Sequence, residues 1–547
     1  MLGQMELGPI PADTQRAARA AFPKGNVHMR MRDAFGMLFE DADFKVMYSR
    51  LGQPGIAPWR LLLVTIMQYA EDLGDRQAAD AVRDRLSWKY VLGLGLEDAG
   101  FDWSVLSEFR DRLLEYEAAQ HILEVMLEQF QARGLLAGGG RQRTDSTHVL
   151  SAMRSLNRLE LVGETLRASL NGLASVVPAW VQSLAPLEWY ARYSKRFEET
   201  RLPKALAERQ ALSVQIGLDG QTLLKAIEAG LALAWLNGLP CIQVLRTVWQ
   251  QQYTTSDGPL RMRTAEELDP AGERINTPYD PQAGFGTKGG LSWSGYKVHL
   301  TESCDVDSVH LITHVETTQA QVPDNQMTET IQHALVDQGL APAQHLVDAG
   351  YIDAELLVTS PCEYGIELVG PVRADSNWQA KAAQGFDLPN FTIDWEHEQA
   401  TCPQGKLSRT WTPTEDAGHN AVIHLEFSIK DCSRCPVRPL CTHSTSKPRG
   451  LTLRPQPIHE ALQAARLAQT TPEFKAVYAK RSGIEGTLSE GTRTHHLRRS
   501  RYVGLAKTHV QHILTALAIN WIRVGQRLAG AKQATTRVSA FAALAPP

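Results

Sequence analysis

The stretch HLVDAGY, residues 345–351, predicts a short apolar strand that ends on Asp348 and is followed at once by a glycine turn. In open α/β sheets, the chemistry is placed just beyond strand ends of this kind. The next residues, DAELLVTS (353–360), predict a helix, and IELVGPV (366–372) predicts another strand. The stretch therefore predicts a strand–helix–strand unit that presents a carboxylate at the edge of a sheet.

Toward the N-terminus, RTDSTHVL (143–150) is short and rich in β-branched residues and predicts a strand. Strand patterns recur in GYKVHL (295–300) and VHLITHVET (309–317). A helix through Gln326 to Val336 follows them, and Asp324 is expected to cap it. The resulting order is strand, strand, strand, helix, strand, helix, strand, helix. This order predicts an α/β protein of the α+β type, with one mixed sheet covered by helices as in the RNase H-like fold.

Segments of different composition surround and interrupt this core. The predicted segments are an N-terminal helical domain over 1–137 that we expect to bind DNA, a core made of 138–154, 285–375 and 472–530, a mostly helical insertion over 155–284, a cysteine-containing loop-rich or β insertion over 376–471, and a flexible tail over 531–547. The most apolar stretch, 223–245, is interrupted by charged residues and by Pro240, and it predicts a buried helical hairpin rather than a membrane span.

The composition, with 43% hydrophobic and 21% charged residues, is typical of a globular protein in water. The N-terminus has no basic segment followed by an apolar one, so we expect no secretory signal. Seven cysteines in 547 residues do not indicate a disulfide framework. We therefore expect a cytoplasmic protein that does not contact membranes.

The formal net charge of −4 does not indicate nucleic-acid binding, but the distribution of charge does. Glu490 is the last acidic residue of the chain, and many basic residues follow it. They are Arg493, Arg498, Arg499, Arg501, Lys507, Arg523, Arg527, Lys532 and Arg537. Such a block is either a solvated face or a surface that neutralises phosphates, and the motif before it must decide between the two.

Three acidic residues stand at places where the predicted fold can bring them together. Asp145 lies inside the first strand, Asp348 ends the fourth, and Glu485 lies in a predicted helix. On that helix, Tyr478, Arg481 and Glu485 are spaced three and then four residues apart, so they share one face.

Glu490 is the alternative third carboxylate, but it lies more than a quarter turn away from that face. Gly483 and Gly486 flank Glu485. We interpret these glycines either as room for a DNA backbone or as a helix irregularity without function.

Three carboxylates at one place repel one another unless cations separate them. Two divalent ions about 4 Å apart remove this repulsion in many phosphoryl-transfer enzymes. Oxygen ligands favour a hard cation, and we expect two Mg²⁺ ions, or Mn²⁺ in their place.

The segments TDSTHV, GYKVHLTE and VDAGY, together with the final Tyr-x2-Arg-x3-Glu, resemble the DDE transposases of bacterial insertion sequences. The resemblance also includes RSLNRLELVGETLRASLNGLA and the ending GLAKTHVQHILTALAINWIR, so it covers nearly the whole chain. In many of these transposases the signature continues to a Lys, where this chain has Thr492. Arg493 or Lys507 is expected to take over the contact of that Lys with phosphate.

The resemblance implies a Mg²⁺-dependent enzyme that cleaves DNA at the ends of its element and transfers the strands to target DNA. The implied catalytic and metal-binding residues are Asp145, Asp348 and Glu485, and the implied DNA-binding residues are Tyr478, Arg481, Arg493, Arg498, Arg499, Arg501 and Lys507. A homodimer is expected in the synaptic complex, in the bacterial cytoplasm at the nucleoid. Two alternatives stay open: an RNase H-like nuclease without strand transfer, and a catalytically inactive DNA-binding regulator.

Four cysteines lie in the second insertion, at Cys402, Cys432, Cys435 and Cys441. CSRC is a C-x2-C pair, and four thiolates in a loop-rich segment are a candidate structural Zn²⁺ site. His424 or His443 is an alternative fourth ligand. The other interpretation is a set of reduced cysteines packed among tryptophans.

Overall fold

The central sheet begins only after a long helical region. In this computed structural model, the described residues are 9–49, 55–199, 202–256, 258–375, 377–382 and 385–531, with positions 541 and 544. The helices before the sheet are α1 (Ala12–Ala21), α2 (Val27–Phe35), α3 (Pro58–Ala70), α4 (Asp75–Asp84), α5 (Leu86–Leu92), α6 (Ser104–Glu115) and α7 (Ala118–Gln131), with a 3-10 helix over Asp41–Met47. The predicted N-terminal helical region is thus confirmed.

The first strand, β1 (Arg141–Leu150), leads into a helical insertion that has its own hydrophobic cluster. Its elements are α8 (Arg158–Val176), α9 (Pro178–Leu184), α10 (Leu187–Tyr193), α11 (Leu206–Ala229), α12 (Pro240–Gln252) and the short strands β2 (Tyr253–Thr254) and β3 (Arg261–Met262). The apolar stretch 223–245 runs from α11 through a 3-10 helix into α12. Among the described residues, no helix combines the length and apolarity needed to cross a bilayer.

The central sheet is mixed, as the order of predicted elements requires. Its other strands are β4 (Gly284–Lys288), β5 (Leu291–Ser303), β6 (Ile312–Gln319), β7 (Gln344–Leu346) and β8 (Glu367–Val369). In space the order is β6–β5–β1–β7–β8, with β4 paired to the first residues of β5. The pairs β6–β5 and β5–β1 are antiparallel, whereas β1–β7 and β7–β8 are parallel. Helices α13 (Thr328–Asp337) and α14 (Leu356–Glu363) connect the parallel strands, and the predicted fold class is confirmed.

The second insertion is small and mostly β. Its elements are α15 (Trp378–Ala382), β9 (Thr392–Asp394), β10 (Gln399–Thr401), β11 (Thr412–Glu415), β12 (Ala421–Glu426), α16 (Ile429–Ser433), α17 (Arg438–Cys441) and β13 (Gly450–Leu453). Helix α18 (Gln456–Ala468) follows, where the sequence predicts loop-rich structure up to Pro472. That prediction is wrong here, because the apolar residues of QPIHEALQAARLA recur at helical spacing and pack against α14.

The chain ends in α19 (Pro472–Tyr478), α20 (Gly483–Thr494) and α21 (Leu505–Leu528). Helix α21 packs against β6 on one side and against α2, α3 and α7 on the other. The N-terminal helices and the sheet therefore share one hydrophobic core, to which Trp59, Ile66 and Trp521 contribute. The predicted tail, 531–547, lies outside the described residues except at positions 531, 541 and 544.

Candidate active site

The three acidic residues come from three different elements. Asp145 lies in the middle of β1 and is buried, Asp348 lies two residues beyond β7, and Glu485 lies in the first turn of α20. Strands β1 and β7 are parallel, and Arg143 pairs with Leu346. When this register is extended by two residues along both strands, Asp348 lies beside Asp145, on the same face of the sheet.

The guanidinium of Arg481 contacts all three carboxylates. Its Nη2 lies 2.6 Å from Oδ2 of Asp145 and 3.9 Å from Oδ2 of Asp348. Its Nη1 lies 3.3 Å from Oε1 of Glu485. Acidic groups separated by more than a hundred residues in sequence therefore converge on one cation.

Burial raises the pKa of Asp145, and the nearby Asp348 raises it further. Arg481 and the backbone amide of Ser146, which donates to Oδ1 of Asp145 at 2.8 Å, act in the opposite direction. Because the net effect is a raised pKa, the ionised form of this buried carboxylate requires cations beside it.

Tyr478 lies at the edge of the same group and stacks on Phe474, with 5.7 Å between the ring centroids. Burial is the main cause that raises its pKa, and the three carboxylates contribute to the increase.

The single helix predicted through Tyr478, Arg481 and Glu485 is divided, because a 3-10 helix over Ala479–Ser482 separates α19 from α20. The contact between Arg481 and Glu485 persists across the junction.

A buried ionic network holds α20 against the sheet. The fully buried Glu302 of β5 lies 2.6 Å from Nη2 of Arg143 and 2.9 Å from Nη1 of Arg523. It also accepts a hydrogen bond from Oγ1 of Thr487 at 2.5 Å, which ties α20 directly to β5. Burial alone would raise the pKa of Glu302, but Arg523 and Arg143 lower it, so the carboxylate stays ionised.

The network also explains Gly483. Nη1 of Arg143 donates to the carbonyl of Lys480 at 2.6 Å. A Cβ atom on Gly483 would lie only 2.0 Å from that nitrogen. The room at Gly483 is therefore taken by Arg143 and not by a DNA backbone, whereas around Gly486 there is open space.

Glu490, the alternative third carboxylate, belongs to this network as well. Its Oε2 lies 2.7 Å from Nη2 of Arg523, and no contact with Arg481 is present. Glu485 is thus the acid of α20 that joins Asp145 and Asp348.

The five basic residues after Glu490 that are predicted to bind DNA divide into two groups. Arg501 pairs with Asp72, and Lys507 pairs with Asp111 at 3.5 Å, so both connect the C-terminal part to the N-terminal helices. The exposed residues Arg493, Arg498 and Arg499 form no ion pair with any residue that the structure describes; Nε of Arg498 donates to Thr147 of β1 at 2.8 Å.

Three charged residues near the acids were not singled out for chemistry in the sequence. Asp324 does not cap a helix as predicted; Oδ1 accepts from Nζ of Lys297 at 2.8 Å and Oδ2 accepts from Oγ of Ser146 at 3.2 Å. Lys288, at the end of β4, acts electrostatically on Asp145 and Asp324. Lys297 stands out in GYKVHL as a charged residue within a predicted strand, whereas nothing in the sequence around Lys288 indicates a functional role.

The donor atoms of the site suit a hard divalent cation, since they are carboxylate oxygens that converge on one positive charge. Within the described ranges, no three His, Cys, Asp or Glu side chains stand in an arrangement ready to hold a metal ion. At the acids, the contacts that a metal would make are made by Arg481.

The four cysteines of the second insertion are not joined by disulfides, and within the described residues no three of them stand in an arrangement that could hold a metal ion. Burial raises the pKa of Cys441, and the thiols of Cys435, Cys402 and Cys432 raise it further. The backbone amide of Lys406 donates to Sγ of Cys402 at 3.3 Å. The alternative ligands have other partners: His424 contacts Thr452, and His443 stacks on Trp378.

Two family models match the chain. Residues 401–524 match a family described as "Transposase DDE domain", and residues 16–112 match "Transposase domain (DUF772)". No curated protein matches the chain. The first match includes Arg481 and Glu485, and the second covers most of the N-terminal helices. The two matches together support an insertion-sequence DDE transposase.

Proposed function

We propose that this transposase cleaves DNA at the ends of its element in a reaction that depends on divalent metal, and then joins the 3′ hydroxyl to target DNA. The observation that carries the proposal is the convergence of Asp145, Asp348 and Glu485 on one guanidinium. Such a concentration of carboxylates is unfavourable without cations, and DNA phosphates would add further negative charge.

Asp145, Asp348 and Glu485 would hold two Mg²⁺ or Mn²⁺ ions. When bound, these ions would lower the pKa of the attacking water or polarise the 3′ hydroxyl, and stabilise the leaving oxygen. Asp145 lies in β1 and Asp348 follows β7 by two residues, whereas the side chain of Glu485 is exposed on α20.

Arg481 exchanges its carboxylate partners for a phosphate of the bound DNA. A guanidinium binds phosphate oxygens in a bidentate geometry, so this residue is suited to orient the phosphate that reacts. Nε of Arg481 is buried and has no hydrogen-bond partner among the described residues, which leaves a donor for that phosphate. Tyr478, beside it, shields the site from water.

Arg493, Arg498 and Arg499 have no acidic partner among the residues that the structure describes, and they are proposed to bind DNA backbone. The N-terminal helices are proposed to bind the element ends, and Arg501 and Lys507 connect them to the catalytic part. A dimer would bring two ends together in the synaptic complex.

We further propose that Cys402, Cys432, Cys435 and Cys441 bind a structural Zn²⁺. The electrostatic influence of Cys402, Cys432 and Cys435 on Cys441, the amide donated to Cys402, and the small apolar cluster of this insertion support the proposal. A bound metal would compensate for the small area that such a segment buries.

The experiment uses the full chain and duplexes that carry the two ends of the DNA segment encoding it. With Mg²⁺ or Mn²⁺, the wild type should nick these ends, and Asp145→Asn should not. With pre-cut ends and supercoiled plasmid, joined products support strand transfer. Cleavage without joining would instead indicate a nuclease that does not transfer strands. If the wild type does not nick the ends, the catalytic proposal is contradicted altogether.

A further inference from the structure

A cavity of about 880 Å³ lies directly beside the catalytic acids. Ser146, the neighbour of Asp145, and Gly350, in the turn after Asp348, form one wall. Arg454 and Arg466 form part of another. The cavity therefore adjoins the place where the reacting phosphate is proposed to lie.

The cavity is lined by more cations than carboxylates, although the chain as a whole is acidic. The cations are Lys288, Lys297, Arg373, Arg454 and Arg466, and the carboxylates are Asp324 and Asp353.

Both carboxylates are already engaged. Asp324 pairs with Lys297 at 2.8 Å. Asp353 accepts hydrogen bonds from the backbone amides of Glu355 and Leu356 and from Asn325.

The remaining four cations form no ion pair with any described residue. Lys288 and Arg373 are exposed, and Arg466 donates only from Nε to the carbonyl of Arg373 at 3.3 Å. Nη1 of Arg454 is shielded from solvent and has no hydrogen-bond partner in the part of the chain that the structure describes. An unsatisfied buried donor costs about 1–3 kcal/mol, so an acceptor is expected there when the site is in use.

Two of these cations come from beyond the catalytic sheet. Arg454 immediately follows β13 of the second insertion, and Arg466 lies in the last turn of α18. The other two are Lys288, which lies at the end of β4, and Arg373, which follows β8. The second insertion thus contributes positive charge to a wall facing the active site.

We infer that this cavity is a second phosphate-binding subsite, which holds the DNA backbone that continues from the phosphate at the catalytic acids. The inference rests on the proposed function, because it assumes that DNA reaches Asp145 and Asp348. Its ligand is the phosphodiester backbone of either the element end or the target DNA. Multiple adjacent cations without acidic partners are what repeated phosphates require.

Salt dependence of DNA binding tests the subsite without requiring catalysis. In an Asp145→Asn background, fluorescence anisotropy gives the affinity at several KCl concentrations for two probes. One probe is a labelled pre-cut element end, and the other is a labelled target duplex added to protein already holding an unlabelled end. Each phosphate contact contributes about 0.9 to the slope of log K against log salt.

Arg466→Gln should reduce that slope by about 1, and Arg454→Gln with Arg466→Gln by about 2, for at least one probe. Arg466→Lys keeps the charge and should keep the slope. Arg409→Gln is the matched control, because Arg409 is exposed on the same insertion and does not line the cavity. A reduced slope for the first probe alone assigns the subsite to the element end, and for the second alone to the target.

Unchanged slopes with both probes, for Arg466→Gln and for the exposed Lys288→Gln, would overturn the inference. These two variants remove partly or fully exposed side chains, so they are expected to fold even if the double variant does not. Failure of the proposed function is distinguishable, since it would appear as no nicking by the wild type while the slopes are still measurable.

Discussion

Nη2 of Arg481 lies 2.6 Å from Oδ2 of Asp145, a distance typical of a strong charge-assisted hydrogen bond. The same nitrogen lies 3.9 Å from Asp348. Arg481 therefore neutralises the carboxylates that are proposed to hold metal, and it must release them before metal and DNA bind together. Under the proposed function, this relationship would make one side chain both a competitor for the metal and a ligand for the substrate.

Arg481→Gln should change metal binding and catalysis in opposite directions. Without DNA, loss of the competing positive charge should tighten Mn²⁺ binding by about tenfold. A factor of ten corresponds to about 1.4 kcal/mol. With element-end DNA, cleavage should fall by roughly 10²–10³-fold, because the donor to the reacting phosphate is lost. Titration calorimetry and a nicking assay measure the two effects. Arg409→Gln, at an exposed position of the second insertion, is the control, and equal Mn²⁺ affinities for Arg481→Gln and wild type would contradict the competition.

Glu485→Gln and Glu490→Gln should separate the two candidate acids of α20. Glu485 contacts Arg481 at 3.3 Å, so its substitution should reduce cleavage by more than about 100-fold, as expected for a metal ligand. Glu490 pairs with Arg523, away from the other acids, so its substitution should leave cleavage within a few-fold of wild type. The rates are measured on element-end duplexes with Mn²⁺. The reverse ranking would move the third carboxylate to Glu490.

Glu302→Gln should destabilise the protein by about 3–5 kcal/mol, the usual result of removing one partner from a buried ion pair. The change leaves Arg143 and Arg523 without their shared carboxylate, and both are largely buried. Denaturant unfolding followed by tryptophan fluorescence measures the loss. Glu490→Gln, which removes a more exposed partner of Arg523, should cost less than about 1 kcal/mol. Equal losses for the two variants would show that Glu302 is not the centre of the network.

Acid should destabilise the protein through buried histidines. Burial lowers the pKa of His345 and of His512 to about 3, from an ordinary value of 6.5. The unfolded chain therefore binds more protons below pH 6.5, so stability is complete above that value and declines as the pH falls toward 3. Each histidine contributes up to about 1.4 kcal/mol per pH unit within this window.

Thermal unfolding at a series of pH values between about 7 and 5 tests this dependence. His512→Gln should make the decline shallower by the contribution of one histidine. His419→Gln is the control, since His419 is exposed and should not change the decline. A decline that is unaltered in His512→Gln would contradict the assignment.

Cys432→Ser tests the zinc proposal. Elemental analysis of the purified wild type should give one Zn²⁺ per chain, and the variant should lose zinc and stability of the second insertion together. Cys362→Ser, at an exposed and isolated thiol, should change neither. If the wild type contains no zinc and Cys432→Ser is equally stable, the zinc proposal is contradicted. The four residues are then reduced cysteines packed in an apolar cluster.

Local patterns predicted the elements of the sheet well. The β-branched residues of RTDSTHVL and the strand pattern of GYKVHL correspond to β1 and β5, and the spacing of Arg481 and Glu485 corresponds to a real side-chain contact. These features depend on residues a few positions apart, so they are visible in any single sequence. The missed helix α18 shows the limit of this approach, because prolines and cysteines in its neighbourhood obscured a short helical period.

Long-range partners were not visible in the sequence. Nothing local to Gly483 indicates that Arg143, more than three hundred residues earlier, fills the space beside it. Lys288 was not singled out, and Asp324 was interpreted as a helix cap, because their shared surroundings exist only after β4, β5 and the turn after β7 are assembled.

The amino-acid sequence by itself determined the mixed α/β fold class, the order of its strands and helices, and the three acids with Arg481 as a candidate set. Periodicity and spacing carry that information because they act within one element. Only the tertiary structure decided that Arg481 contacts all three acids, that Glu490 belongs to a structural network, and that cations from the second insertion line a cavity beside Asp145. These relationships depend on how distant elements pack, and packing is set by the whole hydrophobic core rather than by any one segment.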